Sequence, residues 1–399
     1  MNIGFVSTWF ERGAAYVTKM YVEALKRNNN VFVYARGGEC FYKDNQEWNQ
    51  DYVTWGLNLR GTNINENHFE KWIKKNNLDV IFFNEQREFS IVAKMKKKYS
   101  HIKFGAYIDY YTEQMIPFYD IYDFIICNTK RHYEAFDTCK CSRYYVKWGT
   151  NTEIYNNKSN KSKEQITFFH SMGMSNRKGT ELLVAAFIKG ELYKSSKLII
   201  HTQKSLKEVF NIDEKDMEQY NIQIINKTIG APGLYYMGDV YVYPTKLEGL
   251  GLTLYEALAS GLPVITTNFP PMNEIIDETN GKLVRVERIH SRSDGYYWPL
   301  AICNQADLIE KMQFYIEHKE DIKLYQEQAR EYALKNLNFT DRYSHIEDIF
   351  RTTERKPLNE EAYNLIINKE KKNRKKLILQ ALSNNSYIEN MISNIIRKK

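Results

Sequence analysis

One recurring unit constrains this chain more than anything else in it: a short run rich in β-branched and aromatic residues, then a stretch with apolar residues at helical spacing. "NIGFV" precedes "AAYVTKMYVEALKR", "VFVY" comes next, "DVIFF" leads into "EFSIVAKMKKKY", "KFGAY" follows, and "DFIIC" leads into "TKRHYEAF". Runs of this kind suit strands buried on both faces, as in a parallel sheet covered by helices. At 156–163 "NNKSNKSK" interrupts the theme with polar turn formers, the composition of a linker. Beyond it the unit restarts: "ITFFH" before "GTELLVAAF", "KLIIH" before "SLKEVF", then "NIQII", "DVYVY" and "PVITT". The expected fold class is therefore α/β, two Rossmann-like doubly wound domains facing a cleft, over residues 1–155 and 164–352. A helical stretch from Ala306 to Leu337 closes the second domain, whose last helix is free to cross back to the first. A basic helical tail, 353–399, follows. Ligands of doubly wound sheets sit at the carboxyl ends of the strands, so the cleft is the expected site.

Composition narrows the function classes. With 399 residues the chain needs two cores rather than one. Its net charge of +7 is local: residues 354–399 carry eleven Lys and Arg against five Glu, which leaves the rest nearly neutral and without a basic body for nucleic acid. No window reaches the roughly 18–20 apolar residues of a membrane span, and "MNIGFVSTWF" has neither the basic nor the apolar region of a secretory signal, so a cytoplasmic location is expected. Five cysteines are too few and too unevenly spaced for a disulfide framework, and "CKC" at 139–141 lacks the spacing of a zinc site. No metal is expected there.

The stretch "PTKLEGLGLTLYEALASGLPVITT", Pro244 to Thr267, poses a chemical question. A helix starting near Leu252 or Thr253 and stopped by Gly261 and Pro263 leaves Glu248 in the loop before it and Glu256 in its first turns. Gly249 and Gly251 let a ligand approach the backbone, and the free N–H groups of a helix start favour an anion. A carboxylate beside such a site binds phosphate badly but accepts well from sugar hydroxyls. A sugar diphosphate satisfies both halves. For an isolated pair of glutamates the plainer reading, carboxylates facing water on a core helix, would win.

The wider segment "YYMGDVYVYPTKLEGLGLTLYEALASGLPVITTNFPPMNEIIDETNGKLV" resembles the donor-binding half of the retaining glycosyltransferases of GT-B fold, family 4 in particular (glycosyl transferases group 1). By that resemblance Glu248 bonds hydroxyls of the donor sugar, and the backbone of Gly249, Leu250 and Gly251 lies beside sugar and diphosphate. Glu256 would accept both ribose hydroxyls, and Thr253 would meet phosphate. "HSMGMSNRKGTELLVAAF" matches the family's strand, loop and Lys-Gly element, which gives Gly173 to the donor loop and Lys178 to the diphosphate. The family's arginine after that glycine is Met174 here, so Arg177 is the substitute. Gly13, with Ala14 and Ala15, stands where a glycine loop touches the diphosphate from the first domain. "GAYIDYYTEQ" puts Ile108 at the place of a sugar-contacting histidine, which brings forward Asp109, Tyr110 or Tyr111; a helix-capping role for Asp109 competes. "WGTN" resembles a structural turn into the linker, and Glu274 would lie over the nucleotide.

The resemblance implies a retaining hexosyl-type transferase that takes a UDP- or GDP-linked sugar to a glycan, lipid-linked or protein acceptor, in bacterial surface polysaccharide or glycoconjugate synthesis. Glu248, Lys178 and Asp109 are its catalytic candidates. The chain has no D-x-D pair to hold a divalent ion, so neither metal nor cofactor is expected. A nucleotide-sugar epimerase of the same fold and a non-catalytic nucleotide-sugar-binding subunit are the alternatives. Three roles compete for the tail: a solvated helix packed on the body, an oligomerisation helix, or peripheral contact with anionic lipid through Lys371, Lys372, Arg374, Lys375 and Lys376.

Overall fold

The computed structural model describes residues 1–38, 40–59, 61–156 and 164–383. The first domain is a seven-stranded parallel sheet of β1 (Asn2–Thr8), β2 (Asn30–Arg36), β3 (Val53–Trp55), β4 (Val80–Asn84), β5 (Lys103–Tyr107), β6 (Phe124–Cys127) and β7 (Ser142–Tyr145). Its order is β3-β2-β1-β4-β5-β6-β7. Helices α1 (Gly13–Leu25), α2 (Glu66–Asn76), α3 (Phe89–Lys98) and α4 (Lys130–Ala135) cross over its faces. The second domain repeats the plan with β8 (Ile166–Gly173), β9 (Ser196–Thr202), β10 (Ile222–Asn226), β11 (Val240–Tyr243), β12 (Val264–Thr267) and β13 (Gly281–Val284), in the order β10-β9-β8-β11-β12-β13. Its helices are α5 (Thr180–Lys189), α6 (Leu206–Phe210), α7 (Leu252–Ala259), α8 (Gln305–Glu317) and α9 (Ile322–Asn336). Central runs such as Val80–Asn84 and Val240–Tyr243 are buried at every position, which is why they read as continuous apolar strands rather than alternating ones.

Each sheet changes winding direction once, between β1 and β4 in the first domain and between β8 and β11 in the second. The loops leaving those four strands open crevices at the carboxyl ends, and the two crevices face each other. One apolar cluster runs through both domains behind the cleft, with Phe5, Tyr21 and Trp148 joined to Phe339, Leu254 and Tyr241. The "WGTN" turn is structural: Trp148 is fully buried, its ring centroid 4.6 Å from that of Phe339, and Thr150 forms an isolated bridge with Asn338.

Past α9 the chain returns to the first domain. Helix α10 (Tyr343–Thr352) packs on α1 and sends Phe350 between Phe5, Phe82 and Phe124. Helix α11 (Glu360–Ser383) lies on α3 and the 3-10 turn Glu113–Ile121, burying Ala362 and Ile366. That part of the tail is a helix packed on the body, with Lys371, Lys372, Lys375 and Lys376 exposed. The apolar positions Ile388, Met391, Ile392, Ile395 and Ile396, and linker residues 157–163, lie outside the described residues.

Three features depart from the sequence reading. The helical stretch from Ala306 to Leu337 is two helices, broken at His318–Asp321. β3, β7 and β13 are strands of three or four residues, β7 half-exposed throughout, too short to show a period. An antiparallel hairpin, β14 (Val286–His290) and β15 (Leu300–Cys303), is inserted after β13.

Candidate active site

A cleft of about 1170 Å³ opens between the domains at the two crevices. Gly13, Asp109, Gly173, Arg177, Lys178, Glu248, Gly249, Leu250, Gly251 and Thr253 all line it, so most of the residues singled out in the sequence share one cavity. Glu256 is among the exceptions. It is not among the lining residues, and the hydroxyls of Tyr235 (2.6 Å) and Tyr155 bond its carboxyl, which burial pushes above the usual carboxylate range.

The second-domain wall is built by two glycine hinges. Gly179 (φ 73°) caps the start of α5 and passes so close to β11 that an added Cβ would meet the Pro244 carbonyl at 2.0 Å. Gly251 (φ 78°) caps the start of α7. Between them Glu248, 6% exposed, receives Lys178 Nζ on both carboxylate oxygens at 2.7 and 2.8 Å, Thr245 Oγ1 at 2.6 Å and the Tyr243 hydroxyl at 2.9 Å. Burial alone would raise its pKa; the Lys178 and Arg177 charges and these hydrogen bonds outweigh it and hold the carboxyl below its usual range. Arg177 points a guanidinium N–H at the Leu247 carbonyl at 3.4 Å, beside the Glu248 loop, while Met174, in the place of the family arginine, is exposed. The start of α1 faces that of α7: an added Cβ on Gly13 would lie 3.5 Å from Leu252. Two sets of unpaired helix amides thus address the same space from opposite domains.

The first-domain wall is different. Asp109 follows β5, and its backbone N–H donates to Glu85 Oε1 at 2.7 Å. Thr112, not Asp109, holds the cap position of the next 3-10 turn, so the capping alternative does not apply. Asp109 presses against the Glu248–Gly251 loop: a Cβ on Gly249 would fall 1.9 Å from its Oδ2. The inserted hairpin reaches over from the second domain, where Tyr296 donates its hydroxyl to the Asp109 carbonyl and stacks on Tyr110 with centroids 4.9 Å apart. Tyr111 is buried behind the wall, bonded to Trp298 Nε1 at 2.7 Å.

Glu274 needs correcting. It does not lie over the cleft; its carboxylate caps α4 of the first domain, accepting from the N–H groups of Lys130 (2.6 Å) and Arg131 (3.0 Å). Arg131, buried, returns hydrogen bonds to the carbonyls of Pro270 (2.6 Å) and Glu248. This contact holds the walls together. Among the described residues Asp120, Cys139 and Cys141 bring potential metal-ligand atoms within 4.8 Å of one another, away from the cleft, with Asp120 already accepting from the Lys140 N–H. No described helix is long and apolar enough to cross a membrane.

Sequence reasoning missed Glu85, Thr245, Tyr243 and Tyr296. Glu85 had one available signal, its position directly after a buried strand at the winding reversal; Tyr296 had none, because it arrives on an insertion.

Comparison with known proteins places this geometry. Residues 151–296 match the sequence model of the family "Glycosyl transferases group 1". An uncharacterized 41.2 kDa protein in the cps region of Klebsiella pneumoniae is 30% identical over 132 residues, 33% of this chain and 36% of that protein. The O-antigen biosynthesis glycosyltransferase WclY of Escherichia coli is 45% identical over 40 residues, 10% of this chain and 11% of that one. The chain thus matches little more than a third of the first relative's length and about a tenth of the second's. Anabaena Alr3699/HepE, solved in complex with UDP and glucose, superposes with a TM-score of 0.68 over 88% of this chain and 100% of its own, at 13% identity, which is a likeness of fold. The resemblance to glycosyl transferases of group 1 and the two-domain GT-B fold it implied are borne out.

Proposed function

We propose that this chain, with its group 1 glycosyl transferase domain and GT-B fold, is a retaining glycosyltransferase that moves a hexose from a UDP- or GDP-linked donor to a glycan, lipid-linked or protein acceptor. The observation that carries the reading is Glu248, an ionised carboxylate anchored by Lys178, Thr245 and Tyr243 between two facing helix starts. Glu248 takes sugar hydroxyls. Lys178 and the amides at the starts of α1 and α7 take the diphosphate, without a divalent ion. Glu256 takes the ribose hydroxyls in exchange for its tyrosine partners. As the bond from the anomeric carbon to the diphosphate oxygen breaks, positive charge builds on the ring and the electron pair leaves with phosphate, where the fixed dipoles and the ammonium already stand. The acceptor oxygen bonds the same face of the anomeric carbon, and its proton passes to the departing phosphate oxygen. The relatives named for a cps region and for O-antigen biosynthesis support a place in bacterial surface polysaccharide synthesis at the cytoplasmic side.

The test is a melting-temperature screen against UDP- and GDP-linked sugars. One donor is expected to raise the midpoint, since a ligand that binds only the folded state stabilises by RT ln(1 + [L]/Kd). Incubation with that donor alone should release nucleotide without isomerised sugar; isomerised sugar would instead make the protein an epimerase. The anomeric configuration of the product, read by NMR, decides retention.

A further inference from the structure

Glu85 follows β4 directly and sits at φ 54°, in the left-handed region that a non-glycine residue adopts only when its surroundings hold it there. Strain of that kind, at the winding reversal of the sheet, is a reason to ask what the side chain does. Glu85 Oε1 accepts from the Asp109 backbone, and the two carboxyls are also hydrogen-bonded to each other. Both line the cleft. On the same wall stand Tyr107, 2% exposed, and Thr8, 4% exposed, whose enclosed hydroxyls have no hydrogen-bond partner among the described residues.

We propose that Asp109 holds the reacting hydroxyl of the acceptor, and that Glu85 is the positioning residue that fixes Asp109 there. This rests on the donor reading above, because Asp109 abuts the donor loop at Gly249. Two carboxyls in contact at a half-buried wall resist ionising together. Burial, and then the Asp109 charge, push Glu85 well above the usual carboxylate range, so Glu85 holds the shared proton and donates it to Asp109, leaving Asp109 to orient the acceptor hydroxyl before reaction, until its proton turns to the departing phosphate oxygen. The groups that face the pair are Arg36, whose guanidinium donates to the Glu85 carbonyl and to Gln86, Arg87 on the same loop, Tyr107, Tyr119, the buried Arg131 of α4, and Tyr296 from the hairpin. Arg87 is the cation that opposes the upward shift, and it is outweighed.

The experiment uses the full chain and the donor identified by the melting screen, with water standing in for the acceptor hydroxyl. Nucleotide release is followed from pH 5 to 9 for the wild type, Glu85→Ala and Glu85→Gln. Glu85→Ala is expected to lower kcat about tenfold or more, the effect of unmaking one buried hydrogen bond to a charged group, with donor KM unchanged. Glu85→Gln, a neutral donor of the same shape, should recover most of that loss. The wild-type rate should decline towards high pH as Glu85 ionises, while the Gln variant stays level. Equal rates in wild type and Glu85→Ala, no recovery by Gln, or a shared pH profile each overturn the proposal and leave the donor reading standing. A chain that binds no donor removes both.

Discussion

The two walls of the cleft carry the same residue type in opposite states. Glu248, buried in the loop after β11, and Glu85, half-buried directly after β4, both stand beside a winding reversal, yet one is held below the usual range and the other pushed well above it. Burial disfavours the ionised form of each. What differs is the neighbour: Glu248 meets an ammonium on both oxygens, Glu85 meets a second carboxyl. A wall that keeps a permanent negative charge beside a lysine suits a donor with hydroxyls at one end and phosphates at the other. One that holds a proton between two acids suits a neutral hydroxyl. Environment, not residue identity, assigns the chemistry.

Glu248→Ala breaks the comparison most severely. It strips Lys178, Thr245 and Tyr243 of a common partner and, on the proposed function, removes the grip on the sugar, so turnover should fall by about 10²–10³, the usual loss for an electrostatic group at a reacting centre. Nucleotide binding should remain measurable by calorimetry, because the helix starts and Lys178 survive. Full turnover in this variant would end the assignment of Glu248.

Much of this wall was legible in the sequence, and little of the other. The Glu248 loop announces itself through local chemistry: glycines at 249 and 251, a helix start at 252, and a stop at 261–263, all within one segment. Lys178 follows from the same kind of local element. Glu85 and Asp109 are brought together only because β4 and β5 pair in register, Asn84 opposite Tyr107, a contact that no single stretch encodes. Glu274 reads as part of the donor segment yet bonds the first domain, since a carboxylate's partner depends on how the domains close. Glu256 sits where a helix start predicts, but which hydroxyls occupy it is a tertiary fact.

Gly249→Ala sharpens the comparison where the walls touch. Its backbone does not need glycine's positive φ, so the substitution acts only through space, by forcing the Asp109 carboxylate away from the donor loop. Transfer should drop about tenfold, the scale of a misplaced catalytic group, with donor affinity near that of the wild type. Loss of donor binding instead would mean that Gly249 serves the donor and not the junction.

Glu274→Ala acts on the hinge between the walls. It unmakes two charge-assisted bonds to the α4 amides, equivalent to losing a helix cap, and should cost about 1 kcal/mol in denaturant unfolding. Turnover should fall less than in either preceding variant, because the Arg131 bonds to Pro270 and Glu248 still join the domains. A change confined to turnover, with stability untouched, would place Glu274 at the ligand after all.

The smallest effect is a difference in slope. Glu248, depressed, contributes stability that is present above the unfolded carboxyl value and lost as pH falls through its lowered pKa. Glu85, raised, does the reverse: its contribution is full below the unfolded value and disappears as pH rises through its folded one. Between those limits Glu85 makes the unliganded protein lose stability with rising pH, as the raised Glu256 and Glu274 also do, and Glu85→Gln, which cannot ionise, should remove its own part of the slope. Melting temperatures of the two proteins from pH 4.5 to 8 therefore converge at the acid end and separate towards the alkaline end, with the Gln variant higher. Parallel curves would mean that Glu85 is ionised in the folded protein and that the two walls hold the same kind of carboxylate.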